Sequence, residues 1–260
     1  MKILITAPLK QDPKIFEEYQ KSLDALIVPE GFTAERFFVV NDCDEIIPHI
    51  RKAAYIVHNT GDAYEKTHND HLWTDANFRK MSDLRNMTIR YMLGKGYDYW
   101  LSADTDLVLN PHTLEYLIAA DKDIISEIFW TQSACGLWCN AWMHDQYGVT
   151  QDRFEQWKQP GVYPVGMTGA LTLVKRKVFE AGVGYARIPN LQDAVHGEDR
   201  HFCIRAACAG FGLWIDTNAP ATHLYSEEIY RQYMEQVSSR KAQIHRRPAG
   251  KSTPPRWVYF

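Results

Sequence analysis

Asp104 and Asp106 stand one residue apart in the run Tyr97-Asp98-Tyr99-Trp100-Leu101-Ser102-Ala103-Asp104-Thr105-Asp106-Leu107-Val108-Leu109. Apolar residues precede the pair and resume after it, as in a strand that ends in carboxylates. Side chains alternate along a strand, so the two aspartates are expected to face the same way. Like charges held close together are unfavourable unless a cation lies between them. A hard divalent cation, Mg²⁺ or Mn²⁺, takes carboxylate oxygens and completes its shell with water and substrate phosphates. Two solvated aspartates in a turn give the same short pattern, and an isolated Asp-x-Asp does not separate the two.

The pair needs a scaffold, and the flanking sequence predicts one. Lys2 to Ala7 reads as a strand followed by a loop bearing Pro8, and Ile15 to Leu26 has helical spacing. Arg36 to Val40 is a strand ending in Asn41-Asp42, and Ala54 to His58 is a strand running into Asn59-Thr60-Gly61-Asp62. Residues 61 to 80 show no clear period and are expected to be loop. Ser82 is the expected N-cap of a helix that continues to about Leu93 and closes at Gly94 or Gly96. Asn110-Pro111 opens a helix with Leu114, Leu117 and Ile118 on one face, and Asp123 to Trp130 is a strand. Further on, Met167 to Val174 reads as a strand carrying Gly169, with a short helix at Arg176 to Glu180. Glu198 to Ala209 is helical, Leu213 to Asp216 is a strand, and a last helix spans Glu227 to Arg240. Strands alternating with helices predict an α/β fold with a mostly parallel central sheet flanked by helices.

Composition excludes several classes. The chain has 260 residues, 45% hydrophobic and 23% charged, with a net charge of -3, which gives no basis for nucleic-acid binding. Five cysteines (Cys43, Cys135, Cys139, Cys203 and Cys208) match no zinc spacing and read as free thiols. The first residues lack the apolar stretch of a signal peptide, and no run approaches membrane-spanning length, so a cytoplasmic location is expected. Aromatic residues gather between Phe129 and Tyr163, including Trp130, Trp138, Trp142 and Trp157. They suit the flat faces of sugar rings or an ordinary aromatic-anchored loop region.

In parallel sheets, ligands collect at the carboxyl ends of strands. Four successive strands here end in polar clusters: after Ala7, at Asn41-Asp42, at Asn59 to Asp62, and at Asp104-Thr105-Asp106. With Leu84-Arg85-Asn86 preceding the Asp-x-Asp strand, the chain resembles GT-A glycosyltransferases. It is most similar there to the family 2 enzymes and the yeast-type mannan-polymerase mannosyltransferases. Gly169-Ala170-Leu171-Thr172-Leu173, then Gly197-Glu198-Asp199, then His223 look like the later motifs of those families. The resemblance extends from Met1 to about Tyr225 and implies a domain over residues 1–240. Residues 1–110 would form its nucleotide-sugar and metal half, and residues 111–240 its acceptor half.

That resemblance implies roles. Asp104, Asp106 and His223 would hold Mn²⁺ or Mg²⁺, and Pro8, Asp42, Arg85, Asn86, Asp104 and Thr105 would bind the donor. Asp199 would be the general base with Glu198 beside it. Trp130, Trp138 and Gly169 would meet the acceptor. The expected reaction moves a hexose from a UDP- or GDP-sugar to a hydroxyl of a glycan or other acceptor, with inversion. A nucleotidyltransferase acting on a sugar phosphate is the runner-up, although Pro8-Leu9-Lys10-Gln11-Asp12-Pro13 lacks the glycines of a triphosphate loop. A catalytically silent carbohydrate-binding protein of the same fold is the third reading. Residues 241–260, rich in Lys, Arg and aromatics, are open to three readings: a flap over the diphosphate, a peripheral membrane contact, or a solvated end.

Overall fold

The computed structural model describes residues 1–61, 66–67, 70–71, 74–133, 136–144, 148–191 and 197–246. Eight strands form the path of its large sheet. They are β1 (Lys2–Leu9), β2 (Thr33–Val40), β3 (Ala54–Val57), β4 (Tyr99–Ala103), β5 (Ile124–Ser133), β6 (Val162–Val165), β7 (Leu171–Lys175) and β8 (Leu213–His223). Their order across the sheet is β6-β8-β5-β7-β4-β1-β2-β3. All run in one direction except β7 and β6, which are antiparallel to their neighbours. The mostly parallel α/β sheet expected from the sequence is therefore present, and six strands present their carboxyl ends at one edge.

Helices cover both faces. α1 (Pro13–Asp24) and α3 (Thr113–Ala119) pack Phe16, Tyr19, Leu114 and Leu117 against Ile3, Ile5, Leu101 and Ile125. On the other face, α2 (Asp75–Lys95) and α4 (Gly197–Cys208) pack Leu84, Ile89, Met92, Phe202 and Ala206 against Leu4, Trp100 and Val174. Successive residues of β1, Ile3 and Leu4, thus enter different clusters, as the two-residue period of a doubly covered strand requires. α5 (Glu227–Arg246) closes the described chain. Among the described residues no helix is long and apolar enough to cross a membrane.

Several expected boundaries move. α2 starts at Asp75, where the Thr74 hydroxyl accepts the Asn77 amide at 3.2 Å, so Ser82 is an interior, buried position and not a cap. The added turns carry Asn77, Phe78, Lys80 and Met81 toward a cavity, which is why they lack a core-facing apolar period. The expected Met167–Val174 strand is broken at Gly169-Ala170, where Ala170 takes φ +64°. β8 continues to His223 past a bulge between Asp216 and Ala221; Asn218 and Pro220 there interrupt the apolar pattern that marks a strand. α3 begins at Thr113, after a turn in which Asn110 Oδ1 accepts the His112 amide at 3.0 Å.

Candidate functional site

A cavity of about 730 Å³ opens at the carboxyl edge of the sheet, within the usual range for small-molecule sites. Its walls come from the end of β1 (Pro8, Leu9), the loop after β2 (Asn41, Cys43), the first turns of α2, the Asp104–Asp106 turn, and the start of α4.

β4 stops at Ala103, and the Leu107 amide donates to Asp104 O at 3.1 Å, so the two aspartates lie on a tight turn and not on a continuing strand. Both still line the cavity. Leu107–Val108 then pairs with Thr222–His223 at the end of β8, and the Leu224 amide donates to Asp106 O at 2.7 Å. That pairing sets His223 Nε2 3.4 Å from Asp106 Oδ2. The other ring nitrogen, Nδ1, is fixed by the Thr131 hydroxyl at 2.6 Å. Phe129 stands edge-on to the ring at 4.8 Å, with Tyr225 at 5.2 Å.

Asp104 goes elsewhere. Arg85 Nη2 reaches its two carboxylate oxygens at 3.0 and 3.3 Å, while Nε meets Glu198 Oε1 at 3.0 Å and Nη1 donates to the Ser102 hydroxyl at 2.6 Å. Arg85 is 2% exposed, with the Tyr185 ring 5.6 Å from its guanidinium carbon. Burial alone would pull its pKa down, but the charges of Asp104, Glu198 and Asp199 reverse this and hold it protonated. Desolvation, opposed by Arg85 and reinforced by Asp106, pushes Asp104 up to about 6.

Among the described residues, one carboxylate oxygen of Asp199, Oδ1, is buried without a hydrogen-bond partner. Burial first, and then the Glu198 charge, hold its pKa well above the ordinary carboxylate range, with Arg85 opposing. Gly169 passes so close that a Cβ there would overlap this carboxylate.

Of the residues expected from the sequence, Pro8, Arg85, Asp104, Thr105, Asp106, Trp138, Gly169, Glu198, Asp199 and His223 line one cavity. Three do not. Asp42 turns away and accepts the Gly61 and Thr60 amides, both at 2.9 Å, and Lys80 Nζ at 3.3 Å; these bonds draw its pKa down to about 2. Asn86 accepts the Tyr185 amide at 3.0 Å. Trp130 packs edge-on against Phe154 at 5.1 Å. For Asn86 and Trp130 the reason is that adjacent residues on a helix or strand point to different sides; Asp42 lies in the loop after β2, at φ +47°. Arg85 lies well inside α2, which begins at Asp75, and not at the helix start that an N-cap at Ser82 would have given it. The tail beyond residue 246 lies outside the described residues.

The structure adds residues beyond those assigned a role from the sequence. Asn77, Phe78, Asn140, Trp142 and Tyr225 line the cavity. Only Trp142 and Tyr225 could have been suspected, Trp142 from the aromatic cluster and Tyr225 from its place beside His223.

A sequence profile described as glycosyltransferase family 25, N-terminal domain, matches residues 48–200. The match bears out the glycosyltransferase resemblance of the motifs but not the likeness to the mannan-polymerase mannosyltransferases. No curated protein sequence matches the chain. Among solved structures, GalNAc-T7 with UDP, GalNAc and Mn²⁺ superposes with a TM-score of 0.58 at 12% identity, over 86% of this chain and 43% of that one. S. aureus TarS 1-349 superposes with a TM-score of 0.52 at 13% identity, over 92% of this chain and 65% of that one. The same TarS fragment in complex with UDP-GlcNAc gives 0.53 at 14% identity, over 88% and 61%. The chain thus spans less than two thirds of each, and at these identities the likeness is one of fold.

Proposed function

From the premise that this chain belongs to glycosyltransferase family 25, we propose that it transfers a hexose from a nucleoside diphosphate sugar to an acceptor hydroxyl, with inversion and with Mn²⁺ or Mg²⁺. The observation that carries this reading is the Asp106–His223 pair, 3.4 Å apart, lining the same cavity as the Asp199 side chain.

The donor set fits a shared cation. Among the described residues no three His, Cys, Asp or Glu side chains gather to hold a metal by themselves. A carboxylate oxygen and an imidazole nitrogen leave most of a divalent cation's shell to water and diphosphate oxygens, the ligands that Mg²⁺ keeps beside carboxylates at phosphate-substrate sites. The hydroxyl of Thr131 at Nδ1 orients the ring as outer partners of metal ligands do. The cation would supply charge neutralisation of the departing diphosphate. Asp104, tied to Arg85, is not counted as a ligand in this reading.

The Asp199 carboxylate accepts the proton of the attacking hydroxyl. Its raised pKa makes the carboxylate a better base than an exposed aspartate once ionised. Arg85 is a positioning residue that balances Asp104 and Glu198, so a cluster of acids can share one site. Trp138 and Gly169 border the acceptor, and Pro8, Thr105 and Phe78 border the donor. Residues 1–110 carry most of the donor side and residues 111–240 the acceptor side, with His223 crossing over to complete the metal pair.

Thermal-shift measurements with UDP-, GDP-, CMP- and dTDP-sugars, with and without Mn²⁺, test the reading. Stabilisation that needs both nucleotide and cation is expected, since a ligand bound only by the native state raises its stability. Asp106→Ala and His223→Ala should each abolish the cation-dependent part. Released nucleoside diphosphate supports glycosyl transfer; pyrophosphate would mean nucleotidyl transfer, and neither product would mean a binding protein.

A further inference from the structure

The pairing of β5 with β7 ends early. Thr172 faces Ser126, Leu173 faces Ile125 and Val174 faces Ile124, but beyond Thr172 the chain turns off at Gly169-Ala170, where Ala170 has φ +64°. Glu127 O and Phe129 N lie in the gap between that ladder and the antiparallel one that begins at Trp130, where Trp130 pairs with Cys139, the residue before Asn140. Asn140 fills the gap. It is 2% exposed, and its Oδ1 accepts the Phe129 amide at 3.0 Å while Nδ2 donates to Glu127 O at 3.1 Å. A carboxamide offers a donor and an acceptor side by side, as one peptide group of a neighbouring strand would. The second Nδ2 hydrogen goes to Gly169 O at 3.0 Å, and the backbone carbonyl of Asn140 accepts the Thr168 hydroxyl at 3.0 Å. These bonds also fix the amide's orientation, because the flipped form would set Nδ2 against the Phe129 N–H.

The two elements joined in this way are the two walls of the chemistry. Phe129 stands edge-on to His223 at 4.8 Å, next to the Asp106–His223 pair. Gly169 lies against the Asp199 carboxylate. We infer that Asn140 is a positioning residue that sets the separation of the His223 wall from the Asp199 wall by standing in for a missing strand. The kinetic half of this inference rests on the transfer reading above, whereas its structural half does not.

Two variants in the full chain test it, with hydrogen exchange, binding and turnover read on each. Asn140→Asp keeps the volume and the Oδ1 acceptor but turns the donating side into an oxygen that faces two carbonyls. Asn140→Ala removes the whole stand-in. Both should unfold cooperatively, with amide exchange faster by about tenfold at residues 127–131 and 168–171 and unchanged in β1 and β2, since each lost bond is a local opening. The affinity for UDP with Mn²⁺ should change less than about twofold, while turnover to released nucleoside diphosphate falls by roughly a hundredfold, the scale of a misplacement near 1 Å. Exchange that rises around residue 129 alone would overturn the inference, as would a loss of UDP affinity in step with turnover. Failure of both variants to fold would also overturn it, in favour of a purely structural residue. If the wild-type chain releases no nucleoside diphosphate, the transfer reading fails, and the exchange pattern alone decides for or against Asn140.

Discussion

The carboxylate of Asp199 occupies the space that a Cβ on residue 169 would need, so Gly169 and Asp199 are in direct contact across the cavity wall. Gly169 is therefore a glycine for reasons of space: its φ is not in the left-handed region, which the chain enters one residue later, at Ala170.

Gly169→Ala should push the carboxylate out of place. Turnover is expected to fall by roughly a hundredfold, because a shift of about 1 Å in a reacting group has that scale of effect. Calorimetric binding of UDP with Mn²⁺ should stay within about threefold of wild type, since the affected wall is on the acceptor side. A variant with normal turnover would show that Asp199 does not act from this position.

Asp199→Asn should lower kcat by on the order of a hundred- to ten-thousandfold with donor affinity nearly kept. The pH dependence follows from the raised pKa. Burial and the Glu198 charge keep Asp199 protonated to higher pH than an ordinary aspartate, and only the ionised form accepts a proton. In the wild type, kcat should rise with pH through an apparent pKa above the ordinary carboxylate range. A kcat profile already flat from pH 4 upward would contradict the assignment.

Arg85→Ala would strand Asp104 and Glu198 without their shared cation. Breaking a buried ion pair by removing one partner typically costs about 3–5 kcal/mol, and Arg85 is 2% exposed. A lower urea midpoint together with a reduced kcat is expected. A rise in donor KM alone, with stability unchanged, would instead restore Arg85 to direct contact with the donor.

Asp42→Ala tests the opposite case, a residue that the sequence suggested for the donor and the structure gives to the fold. The Gly61 and Thr60 amides and Lys80 lower its pKa from 3.8 to about 2. A depressed carboxylate contributes stability that is present above pH about 4 and is lost as pH falls through about 2. The variant should lose no more than roughly 2 kcal/mol at neutral pH, less with surface screening. Its stability deficit should shrink below pH 3, and UDP affinity should hold. A selective loss of UDP affinity would return Asp42 to the nucleobase.

The sequence by itself determined most of the elements, though not β6 (Val162–Val165) or the first turns of α2, and the motif positions. The alternation of apolar strands with amphipathic helices predicts the parallel α/β sheet, and the polar strand ends place a site at its carboxyl edge. Asp104, Asp106, Glu198, Asp199 and His223 are each legible as candidates from residue type and order, and all five line the cavity. What the tertiary structure alone decided is which atoms meet. The pairing of Leu107–Val108 with Thr222–His223 gives His223 to Asp106, and Arg85, buried mid-helix, takes Asp104 for the acids across the site. The turn at Gly169-Ala170 and the carboxamide of Asn140 that bridges it leave no mark in a local window. Periodicity reports which side of its own element a residue faces, whereas these partnerships depend on how separate elements register against one another.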